Sequence, residues 1–124
     1  VNLVDSSAWL EYFADGPNAA FFAEAIERSS ELIVPTIVVF EVYKRIGQQR
    51  EPHAALQAVA ILRAGRIVDL SLTLAMAAAT ISYSEKLPMA DSIILATARA
   101  ENALIWTQDA DFERIDGVKF RAKR

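Results

Sequence analysis

The stretch ELIVPTIVVFEVYKRIGQQR, residues 31–50, decides the fold. After Glu31, Leu32–Pro35 form a continuous apolar run, as in a strand buried on both faces. The next seven are rich in β-branched side chains and read locally as more strand. Pro35 separates the two halves, and a proline cannot extend the ladder of a central strand. The reading adopted is a strand ending at Pro35, then a helix from residue 36 to about 50, capped by Thr36 and weakened or ended at Gly47.

The same alternation runs outward in both directions. VNLV at the start is a short buried strand ending on Asp5. Ser6 or Ser7 is expected to cap the helix that carries Trp9, Leu10 and Phe13, which leaves Asp5 free to point off the sheet end. DGP at 15–17 is a turn, and Pro17 suits the start of a second helix. Downstream, PHAALQAVAILRAG is helical, RIVDLS a short strand and LTLAMAAATISYSEK an Ala-rich helix. Pro88 opens MADSIILATARAENA, another helix, and ALIW and VKF supply two more strands, the last at an edge. Strands alternating with helices predict an α/β fold: a three-layer α/β/α arrangement around a mostly parallel sheet of four to five strands. No internal repeat or linker interrupts residues 1–124, so one domain is expected.

The 124 residues include no Cys, one His, 16 acids and 13 bases, for a net charge of -3. This excludes a disulfide framework, a thiol nucleophile and a thiolate metal site, and it suits a reducing cytoplasm. The N-terminus lacks the basic and apolar regions of a signal peptide, and no run approaches the ~20 apolar residues of a membrane span. Bases concentrate in three places: Lys44, Arg45 and Arg50; Arg63 and Arg66; and four between Lys119 and Arg124. Nucleic acid is permitted by this distribution without being required by it. His53 follows Pro52 and reads as a solvent-facing residue at a helix start.

The acids carry the chemistry. Asp5 and Asp109 follow buried strands, where ligands sit in parallel α/β folds. Asp91 lies in the first turn of a helix, where the dipole favours a negative charge. Glu41 has apolar neighbours in VVFEVY, so its charge needs a partner, either Arg45 one turn on or a site. Asp111 is a second choice beside Asp109, since either one can serve a helix start. Ser7 and Thr107 stand where they can steady the carboxylates. Converging carboxylates raise one another's pKa values, and a divalent cation removes that conflict. All-oxygen donors favour Mg²⁺ or Mn²⁺ over zinc. With no Walker, dinucleotide or nucleophile-elbow motif present, phosphodiester hydrolysis by metal-activated water fits best.

The segments LVDSSAWLEYF, PTIVVFEV, LPMADSIILATA and LIWTQDADFERI, in this order across the whole chain, resemble PIN-domain proteins, in particular toxins of the VapC type. The resemblance matches Asp5, Glu41, Asp91 and Asp109 to the family's acids, with Asp111 close by and Ser7 and Thr107 as the accompanying hydroxyls. It implies a Mg²⁺- or Mn²⁺-dependent endoribonuclease that cuts RNA such as tRNA or rRNA. It further implies a homodimer, silenced in a toxin–antitoxin hetero-oligomer by an antitoxin whose other half binds DNA. Arg45, Arg50 and the C-terminal bases become candidates for RNA or antitoxin contact. The alternatives are a catalytically silent PIN-like binding protein and a metal-dependent phosphohydrolase of another class. A receiver domain would need a Lys after the late strand, and a haloacid-dehalogenase-like phosphatase would need Asp at Ser7.

Overall fold

The computed structural model describes residues 1–124. Five strands, β1 (Asn2–Val4), β2 (Leu32–Pro35), β3 (Arg66–Val68), β4 (Leu104–Thr107) and β5 (Val118–Phe120), form one sheet in the order β3-β2-β1-β4-β5. Every pairing is parallel. Six helices complete a three-layer α/β/α fold: α1 (Ser6–Phe13), α2 (Ala19–Ile26), α3 (Thr36–Gln49), α4 (Pro52–Leu62), α5 (Leu72–Glu85) and α6 (Met89–Glu101). The sheet is parallel throughout, and the edge strand β5 is part of it.

Pro35 divides strand from helix as its chemistry requires. It ends β2 and, at φ -63° and ψ 144°, stands as the residue before α3. Gly47 does not end that helix. It is exposed, and the backbone ladder runs on until Arg50 N donates to Ile46 O at 2.8 Å. Thr36 makes no cap, because it lies inside the first turn; its hydroxyl accepts instead from Leu70 N at 3.3 Å. Pro17 stays in the turn, with α2 starting at Ala19. The cap of α1 also differs from expectation. Asp5 itself accepts from Ala8 N at 3.0 Å, because Ser6 and Ser7 already belong to the helix.

A cluster of 27 buried apolar residues fills the layers. Leu3 and Val4 are fully buried at the centre, and Phe21 packs against Trp106 with ring centroids 5.2 Å apart. Packing is uneven, however. Of the apolar side chains on α5, only Ala78 and Ile81 are buried, while Leu72, Met76 and Tyr83 remain exposed on its outer side.

The strand order creates one special position. From β1 the chain moves to β2 and β3 on one side, then returns to place β4 on the other. The connections leaving β1 and β4 therefore diverge, opening a crevice beyond their C-terminal ends. Register brings those ends level: Val4 pairs with Trp106, and Asp5 N donates to Trp106 O at 3.1 Å.

Candidate metal centre

Asp5 and Thr107 are the next residues along these two strands. The Thr107 hydroxyl donates to Asp5 Oδ2 at 2.5 Å, and the Ser7 hydroxyl donates to Asp5 Oδ1 at 2.8 Å. With the Ala8 N–H, this gives the carboxylate three donors. Only 2% of Asp5 is exposed. Burial raises its pKa from 3.8 to about 6; the bonds from Thr107, Ala8 and Ser7 pull the other way, and the nearby Asp109 charge pushes up again. Thr107 also accepts from Asp109 N at 2.9 Å, so one hydroxyl aligns both strand-end acids.

Beyond β4 the chain makes a tight 3₁₀ turn, Ala110–Phe112, pinned by the fully buried Phe112 ring. Asp109 Oδ1 accepts from Asp111 N at 2.9 Å and starts this turn. The turn carries both acids to the first turn of α6, where Asp91 sits 9% exposed. One carboxylate oxygen from each of Asp91, Asp109 and Asp111 lies within 4.8 Å of the other two. No basic side chain pairs with them: the chain's ion pair joins Arg66 to Glu101. Burial, then the Asp109 charge, then contact with the Asp111 and Asp109 carboxylates raise the Asp91 pKa to about 8.

Glu41 is half-buried on α3 and faces the same crevice. Its Oε1 accepts from the Ser6 hydroxyl at 2.5 Å, and it forms no bridge to Arg45. Asp5, Glu41, Asp91 and Asp109 all line one open cleft of about 820 Å³, together with Ser7, Arg45 and Arg50. Asp111 completes the tight triplet from an exposed position. Asp5 and Glu41 lie in the cleft but outside that triplet. Three mutually repelling carboxylates with no cationic side chain are a donor set that could hold a divalent metal ion, and the all-oxygen chemistry suits a hard one.

Sequence reasoning missed the partners of these acids. Ser6 reads from the sequence as a helix cap, yet it reaches across 35 positions to Glu41. Gln108 and Asn18 were not singled out, although the Asn18 amide donates to Gln108 Oε1 at 3.0 Å behind the site. Lys44, from a basic cluster, and Lys123, one of the C-terminal bases that the resemblance marks for RNA or antitoxin contact, also line the cleft. No local pattern announces contacts over such separations.

A parallel sheet with carboxylates gathered at its switch point defines a class of α/β proteins with an acidic cleft. Within it, the sequence profile of the PIN domain family matches residues 3–118, and the chain belongs to that family. No curated protein sequence matches it. Among solved structures, a chain of a toxin–antitoxin complex from Klebsiella pneumoniae superposes with a TM-score of 0.84 at 23% identity, covering 100% of both chains. VapC20 of Mycobacterium tuberculosis, described as a sarcin–ricin loop cleaving toxin, gives 0.81 at 18% identity, covering 98% of this chain and 99% of its own. VapBC2 of Rickettsia felis, solved with a DNA fragment from its promoter, gives 0.75 at 16%, covering 98% and 97%. At these identities the likeness is one of fold.

Proposed function

We propose that the chain is a Mg²⁺- or Mn²⁺-dependent endoribonuclease, the toxin of a VapC-type toxin–antitoxin pair. The observation that carries this reading is the convergence of Asp91, Asp109 and Asp111 beside Asp5 and Glu41, at the mouth of a cleft edged with bases. The similar structures include a toxin that cleaves the sarcin–ricin loop and toxin–antitoxin complexes, one of them bound to promoter DNA. Those neighbours support an RNA substrate and an antitoxin partner for this chain.

Asp91 and Asp109 would hold the ion, with Asp111 beside them and Asp5 braced by Thr107 and Ser7. A divalent cation held there would neutralise phosphate oxygens and lower the pKa of a water near it. Glu41 is oriented by Ser6 through Oε1, which leaves Oε2 free to serve as a proton acceptor in the cleft. Arg45 on α3 and Arg50 at its C-terminal end, both exposed, would meet the phosphates on either side of the broken bond or the acidic part of an antitoxin. No helix is long and apolar enough to cross a membrane.

Incubation of RNA with the protein and Mn²⁺ tests the reading. Cleavage should be lost by more than about 100-fold in both Asp5→Asn and Asp91→Asn. Metal-dependent cutting that survives both changes would discard the site. The proposal includes a homodimer formed through α5, whose Leu72, Met76 and Tyr83 repeat on one helix face and stand 79%, 64% and 75% exposed. Sedimentation should find wild-type dimers and Met76→Glu monomers; unchanged dimers in the variant would place the interface elsewhere.

A further inference from the structure

The chain after β5 does not leave the molecule. Arg121 N donates to Thr107 O at 3.0 Å, one step past the end of the β4–β5 pairing. The guanidinium carbon of Arg121 stands 4.3 Å over the Phe21 ring, and Asn18 Nδ2 donates to Ala122 O at 3.0 Å. The next residue, Lys123, lines the cleft with Asp5 and Asp109.

Asn18 is the fastener. It is 1% exposed, and its second amide bond goes to Gln108 Oε1 at 3.0 Å. Its Oδ1 has no protein partner, so two N–H bonds are what the side chain contributes. Gln108 is in turn held to the residue beside Asp5–Ser6: its backbone N–H donates to Ser7 Oγ at 3.4 Å and its Nε2 to Ser7 O at 3.5 Å. The C-terminal segment is thereby tied to both strand ends that carry the acids.

Two of the other three bases between residues 119 and 124 are engaged with aromatic faces, which leaves Arg124 outside both the rings and the cleft lining. Lys119 Nζ lies 4.6 Å over Trp106, and Arg121 covers Phe21. Lys123 is the base that the segment brings into the cleft. From α3, Lys44, Arg45 and Arg50 line the same cleft. Because α3 leaves β2 and the C-terminal segment leaves β5, with β1 and β4 between them, positive charge flanks the acids from two sides. That arrangement suits a polyanion laid across the acids better than a single small anion held among them.

We propose that Lys123 is a phosphate-binding residue that holds an RNA strand on the β5 side of the acidic site, and that Asn18 is the positioning residue that sets it there. This inference deepens the nuclease reading and rests on it. An ammonium group is a flexible point charge, so its usefulness depends on where the backbone carries it, and two directional amide bonds supply that placement.

The test measures binding of a fluorescein-labelled single-stranded RNA by anisotropy, in an Asp91→Asn background that leaves the strand intact, between about 50 and 200 mM salt. Adding Lys123→Gln should weaken binding about threefold to tenfold and flatten the slope of log K against log salt by about 0.7, the value of one phosphate contact. Asn18→Ser should give the same loss, and combining it with Lys123→Gln should add little, since both act through one contact. In the otherwise wild-type protein, Mn²⁺ titration should be unchanged by Lys123→Gln. An unchanged salt slope overturns the assignment. So does an equal loss from Lys119→Gln, which would reduce it to general surface charge, or a loss seen with an acidic peptide but not with RNA. If the wild-type protein cuts no RNA with Mn²⁺, the nuclease reading falls and this inference with it; wild-type cutting with an indifferent Lys123→Gln removes the inference alone.

Discussion

Two aspartates of the crevice meet opposite circumstances. Asp5 is almost completely buried, yet three donors converge on it, from Thr107, Ser7 and the Ala8 backbone. Asp91 is nearly as buried, and its neighbours are two more carboxylates. Burial raises both pKa values, to about 6 and about 8. At Asp5 the protein answers part of the cost from its own hydrogen bonds. At Asp91 it supplies further negative charge. One corner is a finished piece of structure that also faces the site; the other keeps a repulsion that a proton or a bound cation would relieve.

The largest expected effect separates the corners by metal. At a thousand times its Kd, Mn²⁺ should stabilise the wild type by about 4 kcal/mol. Asp91→Asn should lose most of that gain while raising the metal-free melting temperature by about 3–6 °C, because the amide relieves repulsion and can donate to its neighbours. Calorimetry with Mn²⁺ and with EDTA checks both; a metal-free variant less stable than the wild type would erase the contrast.

The next effect is in pH. Both folded pKa values lie above the ordinary 3.8, so between about 4 and about 8 the folded state holds more protons than the unfolded one. Stability from these groups is therefore present at low pH and lost as pH rises through 6 and then 8. Urea unfolding in EDTA should show a midpoint falling across that window, more shallowly in Asp91→Asn. A midpoint that rises with pH in the wild type and is unmoved by Asp91→Asn would refute the assignment.

The smallest effect belongs to the finished corner. Thr107→Val keeps the shape and removes one donor from a buried carboxylate, at a cost of about 1–3 kcal/mol. The loss should grow from pH 5 to pH 8 as the Asp5 charge forms. Chemical denaturation at both values reads it; equal losses would mean that the hydroxyl does not serve the charge.

Much of this was legible before the structure. The inner strands β1, β2 and β4 were visible because parallel strands buried on both faces are written as apolar runs, and Pro35 settled the one ambiguous boundary. The edge strands β3 and β5, each with a base and no buried residue, showed only through the alternation with helices. Asp5 and Asp109 stood out because a switch-point crevice lies past strand ends. The double duty of Asp5 was not legible. A carboxylate has two oxygens, and here Oδ1 caps the helix while Oδ2 takes Thr107, so choosing between cap and site was a false choice. Nor was the proximity of Asp111 to Asp91, which depends on a 3₁₀ turn pinned by Phe112. The pairings of Ser6 with Glu41 and Asn18 with Gln108 depend on tertiary distance, to which local periodicity is blind.

The alignment of Val4 with Trp106 has a consequence for how such a chain can change over time. Successive strand residues face opposite sides of a sheet, so one residue gained or lost within Asn2–Val4 or Leu104–Thr107 would turn Asp5 or Thr107 toward the wrong layer. The 3₁₀ turn to Asp111 allows no slack either, whereas the exposed connections around Asp69 and Asp116 touch none of the acids' partners. Variation in length is therefore confined to one set of segments and barred from another. The strands act as a gauge that keeps the acids in step while the outer connections are free to drift.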